Sequence, residues 1–288
     1  MSIFGICKIY GISRQSYYKF KKQEARDERE RGKIITMIQM IRKRHLRMGI
    51  KKIYYKIKDM IKQERIKIGR DKLYKLAKEE GYLVKRKRSG IKTTRRGMRK
   101  FDNLLKGEVI ERINQVWVSD ITYIRVGIRN FGYLFLVMDL YSRKIVGFKF
   151  GKSLEARWGV VALEQAIREA DGNVEGLIHH SDHGIQYISR EYTEVIERNG
   201  MLSSMGEVGN AYDNAYAERV IGILKNEYGL CDTFISYEDA EKAIREAIIL
   251  YNMERPHLSL NYATPNEVYE NIKIAPLVEI KNDLSKGG

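Results

Sequence analysis

An α/β fold with a mixed five-stranded sheet and helices on both faces, preceded by all-α modules, is what the sequence predicts, and three observations carry it. From residue 111 onward, short apolar runs bounded by turn-forming residues alternate with stretches of helical periodicity. Before residue 84 the apolar residues recur at helical spacing instead. Between the two, residues 85–110 form a basic linker whose Lys and Arg leave little to bury.

The charge is divided along the same line. Residues 1–110 hold 34 Lys and Arg against 11 Asp and Glu, net +23, and the rest of the chain holds 19 against 26, net −7. Such segregation implies one part built to lie on a polyanion, with nucleic acid as the leading partner. In residues 1–31, Ile3 to Lys22 suggests two short helices joined at Gly11, with Ser13 as N-cap of the second. That arm resembles a helix-turn-helix whose Arg14, Gln15 and Tyr18 face DNA, and a purely structural pair of helices is the alternative. Lys21 to Arg31 is almost wholly charged, as expected of a solvated helix or linker. Residues 32–84 form a second helical module: Ile34 to Leu46, Ile53 to Ile61, and Arg70 to Glu80, with Asp71 near the start of the last and Gly81 past its end. Its outer faces are rich in Lys and Arg, with Arg70 and Lys72 as DNA-binding candidates. The linker supplies Lys85, Arg86, Lys87, Arg88, Arg95 and Arg96, expected to extend along phosphates.

In residues 111–275, Val116 to Val126, Tyr133 to Asp139 and Lys144 to Phe150 read as three strands with turn chemistry between them, a plausible antiparallel meander. Leu154 to Ala170 is a helix, Gly176 to His180 a fourth strand, Ser189 to Asn199 a helix, and Met201 to Met205 a fifth strand. A helix through Glu218 follows, then Glu238 to Met253, stopped by Pro256, and a short helix with Pro265 in its first turn. This order describes a ribonuclease H-like layout. Residues 276–288 are expected to be a loose tail.

Asp120 lies inside the first strand, where an isolated carboxylate is costly unless it is paired or binds a metal. Asp182 falls just past the fourth strand and Glu218 on the later helix. Pairing of the first and fourth strands would bring the aspartates together and let the helix supply the third acid. Oxygen ligands alone point to Mg²⁺ or Mn²⁺ rather than Zn²⁺. Two such ions activate an attacking oxygen and stabilise a leaving one in an in-line phosphoryl displacement. Cys7 and Cys231, the two cysteines, indicate neither a disulfide framework nor a zinc finger. No run approaches 18 apolar residues, so no membrane association and a cytoplasmic, nucleoid-associated protein are expected.

The segments Trp117 to Tyr123, His180-Ser181-Asp182-His183-Gly184-Ile185-Gln186-Tyr187 and Asn210 through Glu218-Arg219 to Glu227 resemble the DDE catalytic core of bacterial insertion-sequence transposases of the OrfB type, relatives of retroviral integrases. Asp139 to Gly147, Tyr251-Asn252, Arg255-Pro256-His257 and Thr264-Pro265 extend the resemblance over essentially the whole chain. Between Asp182 and Glu218 lie 35 residues, the D-35-E spacing of that group, which selects Glu218 over Asp213 and Glu227 on the same stretch. The resemblance implies an enzyme that binds the inverted-repeat ends of its element on double-stranded DNA, frees a 3′-hydroxyl with two Mg²⁺ or Mn²⁺ ions, and attacks a target phosphodiester. It also implies a homo-oligomer in the DNA complex, and the upstream-frame product of the same element as a partner, this chain looking like the downstream frame alone. Lys225 either meets a phosphate or is a solvated lysine. Asp139 reads as structural. His183 is a candidate for placing DNA, and His179, His180 and His257 read as scaffold. Arg255 either contacts DNA or ties its helix to the sheet. The rival functions are a non-catalytic DNA-binding regulator derived from a transposase, which has no use for three acids, and a ribonuclease H, which has no need of the basic extension.

Overall fold

The computed structural model describes residues 3, 7, 9–84, 101–182, 184–206, 215–276 and 278–280. The chain divides into two compact units, Met1–Val84 and Lys85–Gly288.

In the first unit a helical turn through Cys7 and Ile9 ends at Gly11, whose φ of 62° allows the Ile12 N–H to donate back to the Cys7 carbonyl at 3.0 Å. Ser13 then caps α1, Arg14–Arg44, by accepting from the Ser16 N–H. The short second helix of the arm is therefore only the beginning of a 31-residue helix, which runs unbroken across the boundary expected at residue 31. Its polar stretch is held by side-chain pairs one turn apart, Lys21 with Glu24 and Arg26 with Glu30, and by Arg31 reaching Glu80. α2, Ile50–Gln63, and α3, Arg70–Glu79, close a small core with α1, in which Ile38, Ile53, Ile57 and Leu73 are fully buried.

In the second unit β1 is Val109–Ile110, β2 Val116–Val126, β3 Asn130–Asp139, β4 Ile145–Gly151, β5 Ile178–Ser181, β6 Leu202–Met205 and β7 Val278–Glu279. The main sheet has the order β4-β3-β2-β5-β6: the first three strands form an antiparallel meander, and β5 and β6 run parallel to β2. α4, Ala156–Glu169, and α5, Arg190–Arg198, cover one face with Trp117, Phe135, Val137 and Val146 beneath them. α6, Ala215–Glu227, and α7, Tyr237–Glu254, cover the other over Val116, Val118, Leu134 and Leu136. With both faces buried, the central strands read as continuous apolar runs. At Gly147 a Cβ would stand 2.1 Å from the Ala162 carbonyl, so glycine permits the close approach of α4 to β4. α8, Pro265–Tyr269, opens with a capping box between Thr264 and Glu267. Together these elements make a ribonuclease H-like fold.

Two expectations are corrected. Val109 and Ile110, at the end of the expected linker, pair antiparallel with Glu279 and Val278 from the expected tail. Leu105 and Ile110 are buried in the core, so the chain is already part of this unit from residue 101. Two-residue strands are too short to show a period, which is why neither was visible beforehand. Residues 85–100 and 281–288 lie outside the described residues.

Candidate active site

Strand parity places Asp120. Even-numbered Val116, Val118, Ile124 and Val126 join the core beneath α6 and α7, and Asp120 shares their side of β2. Parallel pairing sets Ser119 beside Ser181, so each aspartate comes directly after a register pair. Asp182 Oδ1 accepts from the Gly184 N–H at 3.0 Å, and Asp120 Oδ1 from the Ile121 N–H at 2.7 Å. Glu218 is exposed in the first turn of α6, while Ala217, Val220, Ile221 and Leu224 of the same helix are buried.

Asp182 and Glu218 both lie within electrostatic reach of Asp120. Burial, then the negative charge of Asp182 and, more weakly, that of Glu218, holds the Asp120 carboxyl well above the usual carboxylate range, against the Ile121 N–H and the Lys225 ammonium. Lys225 is half-buried seven residues after Glu218. Burial lowers its pKa, opposed first by the attraction of Asp120 and then by that of Cys231. Its ammonium is thus partly shielded from solvent and feels the charge of Asp120. Among the described residues no three His, Cys, Asp or Glu side chains form a ready-made metal cluster. The donor set nonetheless fits a hard divalent cation, because three carboxylates from three elements repel one another and a cation relieves that repulsion.

Beneath the acids lies a buried polar layer. His179 Nε2 is 2.8 Å from Ser119 Oγ and 2.9 Å from the Tyr192 hydroxyl. Burial, and then His180, push the His179 pKa down to about 3, so its ring is neutral at ordinary pH. His180 Nδ1 pairs with Ser204 Oγ at 2.9 Å, and His257 Nε2 with the Tyr251 hydroxyl at 3.0 Å, so these imidazoles are scaffold. Ser119 and Tyr192 offer no sequence signal beyond their hydroxyls, since their partners are set by strand pairing for Ser119 and by the packing of α5 on the sheet for Tyr192.

Of the DNA-binding candidates, Arg14 and Gln15 are exposed in the first turn of α1, and Arg70 and Lys72 in the first turn of α3. Lys85, Arg86, Lys87, Arg88, Arg95 and Arg96 lie outside the described residues, as do His183, Asn210, Asp213 and Asn214.

The Integrase core domain family matches residues 111–211, and a second Integrase core domain family matches residues 199–265. The insertion element IS600 uncharacterized 31 kDa protein of Shigella sonnei is 33% identical over 266 residues, covering 90% of this chain and 96% of that one. The chain belongs to the insertion-sequence DDE transposases of the OrfB type. The transposase for insertion sequence element IS629, also from Shigella sonnei, is 27% identical over 91% of this chain and 89% of its own length. Among solved structures, the HTLV-2 integrase catalytic core domain in complex with magnesium aligns at 20% identity and a TM-score of 0.44, over 55% of this chain and 97% of that one.

In this transposase the two glutamates of α6 have different surroundings. Glu227 takes both arms of the Arg255 guanidinium, Nε and Nη2 each at 2.9 Å, with Arg255 3% exposed. Arg255 therefore ties the end of α7 to α6, and Glu227 is occupied as a structural acid. Asp139 is structural as well: it accepts from the Asn114 and Ser142 N–H groups and from Ser142 Oγ, fixing the turn between β3 and β4. Asn252 clamps the start of β4 through both the N–H and the carbonyl of Ile145.

Proposed function

We propose that this transposase binds the inverted-repeat ends of its element through its basic N-terminal region. On this reading Asp120, Asp182 and Glu218 hold two divalent ions, Mg²⁺ or Mn²⁺, for phosphodiester cleavage and 3′-hydroxyl strand transfer that integrates DNA. The observation that carries the reading is the setting of Asp120: a part-buried carboxylate within the electrostatic reach of two more, a repulsion that a bound cation would relieve. When bound, the ions activate the attacking oxygen and stabilise the leaving one. Asp120 and Asp182 offer oxygens from adjacent strands, and Glu218 offers its own from α6. Lys225, kept beside Asp120 by burial and attraction, places its ammonium against a phosphate oxygen of the bound end. The described residues contain no helix long and apolar enough to cross a membrane.

Asp120→Asn, Asp182→Asn and Glu218→Gln test the proposal one acid at a time. Each is expected to abolish Mg²⁺-dependent nicking of a labelled duplex carrying the element's end, while fluorescence anisotropy finds duplex binding within about twofold of the parent, since none of these acids is asked to hold DNA electrostatically. Retained nicking in any one of them removes that residue from the site.

A further inference from the structure

The turn between β3 and β4 carries a cation that the reaction above does not use. Arg143 stands there at φ 65°, in the left-handed region where a side chain is strained and glycine is not. Its backbone is tied on both sides, the N–H donating to the Asp139 carbonyl at 2.9 Å and the carbonyl accepting from the Tyr251 hydroxyl at 3.0 Å. The residue is buried, 6% exposed, and its guanidinium lies over the ring of Tyr216, Cζ 4.4 Å from the ring centroid. That is well inside the range of a cation–π contact.

Burial pushes the Arg143 pKa down, opposed first by Tyr216 and then by Tyr251 and Asp139. Nη1 is buried without a hydrogen-bond partner among the described residues. A strained backbone and an unpaired buried N–H group both cost stability, and glycine at this position would avoid both. What the arginine adds over glycine is its hold on Tyr216. That tyrosine belongs to the first turn of α6, two residues before Glu218. A helix frays there first, because its leading N–H groups have no partner within the helix. Residues two apart on a helix point about 200° from each other. Tyr216 is half-buried against the core while Glu218 is exposed, so a ring held on the inner side fixes the rotation that turns Glu218 outward. From that turn the Glu218 charge reaches Asp120.

We propose that Arg143, through its stack on Tyr216, is a positioning residue of the acid site, fixing the first turn of α6 so that Glu218 meets a divalent cation beside Asp120. This rests on the cation reading above. Losing a group that orients a metal ligand weakens metal affinity by about 10–100-fold, and one acting through a helical turn belongs at the lower end.

The test compares the full chain with Arg143→Met, Tyr216→Leu and the double variant, by Mn²⁺ titration followed calorimetrically, by nicking of the end duplex, and by urea unfolding in EDTA. Each single variant should raise the half-saturating Mn²⁺ concentration about tenfold, with nicking recovered at high Mn²⁺. The double variant should match the weaker single one, since a stack broken from either side is broken once. Half-saturation equal to the parent's overturns the proposal, even where urea stability has fallen, because a purely structural arginine changes stability alone. Shifts that multiply in the double variant overturn it as well. If Arg143→Met does not fold, Tyr216→Leu decides by the same comparison with the parent. Glu218→Gln separates this proposal from the reading beneath it. If that variant binds Mn²⁺ as the parent does, or the parent binds none, the cation reading fails and the proposal with it. Weakened binding in Glu218→Gln beside parent-like Arg143→Met and Tyr216→Leu sinks the proposal alone.

Discussion

His179 shows how one side chain couples the site to stability. Its ring lies against Tyr192, its Nε2 is occupied by two hydroxyls, and its pKa stands near 3 against an ordinary 6.5. Below pH 6.5 the unfolded chain takes up a proton that the folded chain refuses. The stability associated with His179 is therefore complete above that pH and is lost as the pH falls toward 3, at about 1.4 kcal/mol per pH unit. Asp120 acts in the opposite sense: its folded pKa is raised, so its contribution is present at low pH and lost as the pH rises through that folded value. A comparison of parent with His179→Gln cancels the Asp120 effect and isolates the histidine. Both tryptophans, Trp117 and Trp158, lie in the sheet unit, so their fluorescence follows the relevant transition in urea. Between pH 7 and pH 4 the parent should lose stability more steeply than the variant, by about one proton's worth; parallel curves would show that the imidazole is not held neutral.

At the scale of the element, α6 carries a structural and a candidate catalytic carboxylate two and a half turns apart. Replacing Arg255 with Ala removes the guanidinium from a half-buried Glu227 and empties a buried site, so a loss of about 2–4 kcal/mol in urea unfolding of the sheet unit is expected. Glu218→Gln changes an exposed side chain, and its stability should stay within about 0.5 kcal/mol of the parent even as nicking disappears. Comparable losses from the two substitutions would contradict this division of roles. The same helix shows what the sequence can and cannot reveal. The glutamates could be ranked by spacing, but the partner of Glu227 sits on another helix, and a solvent-facing or buried role was not readable for either. β2 was legible from Val116 to Val126 because a doubly buried strand is one continuous apolar run. For α1 both ends were legible as helix but their continuity was not, because its polar middle has no apolar stripe and is sustained by charge pairs and by residues of good helix propensity such as Lys, Arg and Glu. The acids themselves could be named in advance, whereas the Ser119, His179 and Tyr192 layer exists only through strand register and the packing of α5 on the sheet.

Over the whole molecule the dominant asymmetry is electrostatic, with net +23 before residue 111 and −7 after it. If the basic region engages DNA, affinity comes mainly from releasing counterions, and the logarithm of the binding constant should fall linearly with the logarithm of salt concentration, by about 0.9 for each phosphate neutralised. Replacing Lys85, Arg86, Lys87 and Arg88 together with Ala should flatten that slope by up to roughly 3.6, if each residue meets one phosphate. Asp120→Asn should leave the slope as in the parent, because the carboxylate site is not where counterions are displaced. Anisotropy of a labelled duplex between 50 and 200 mM salt, in EDTA so that divalent ions neither compete nor support cleavage, separates the two outcomes. A slope unmoved by the fourfold alanine variant would mean that these basic residues do not lie along phosphates, and would shift the DNA contact to the exposed basic faces of α1 and α3.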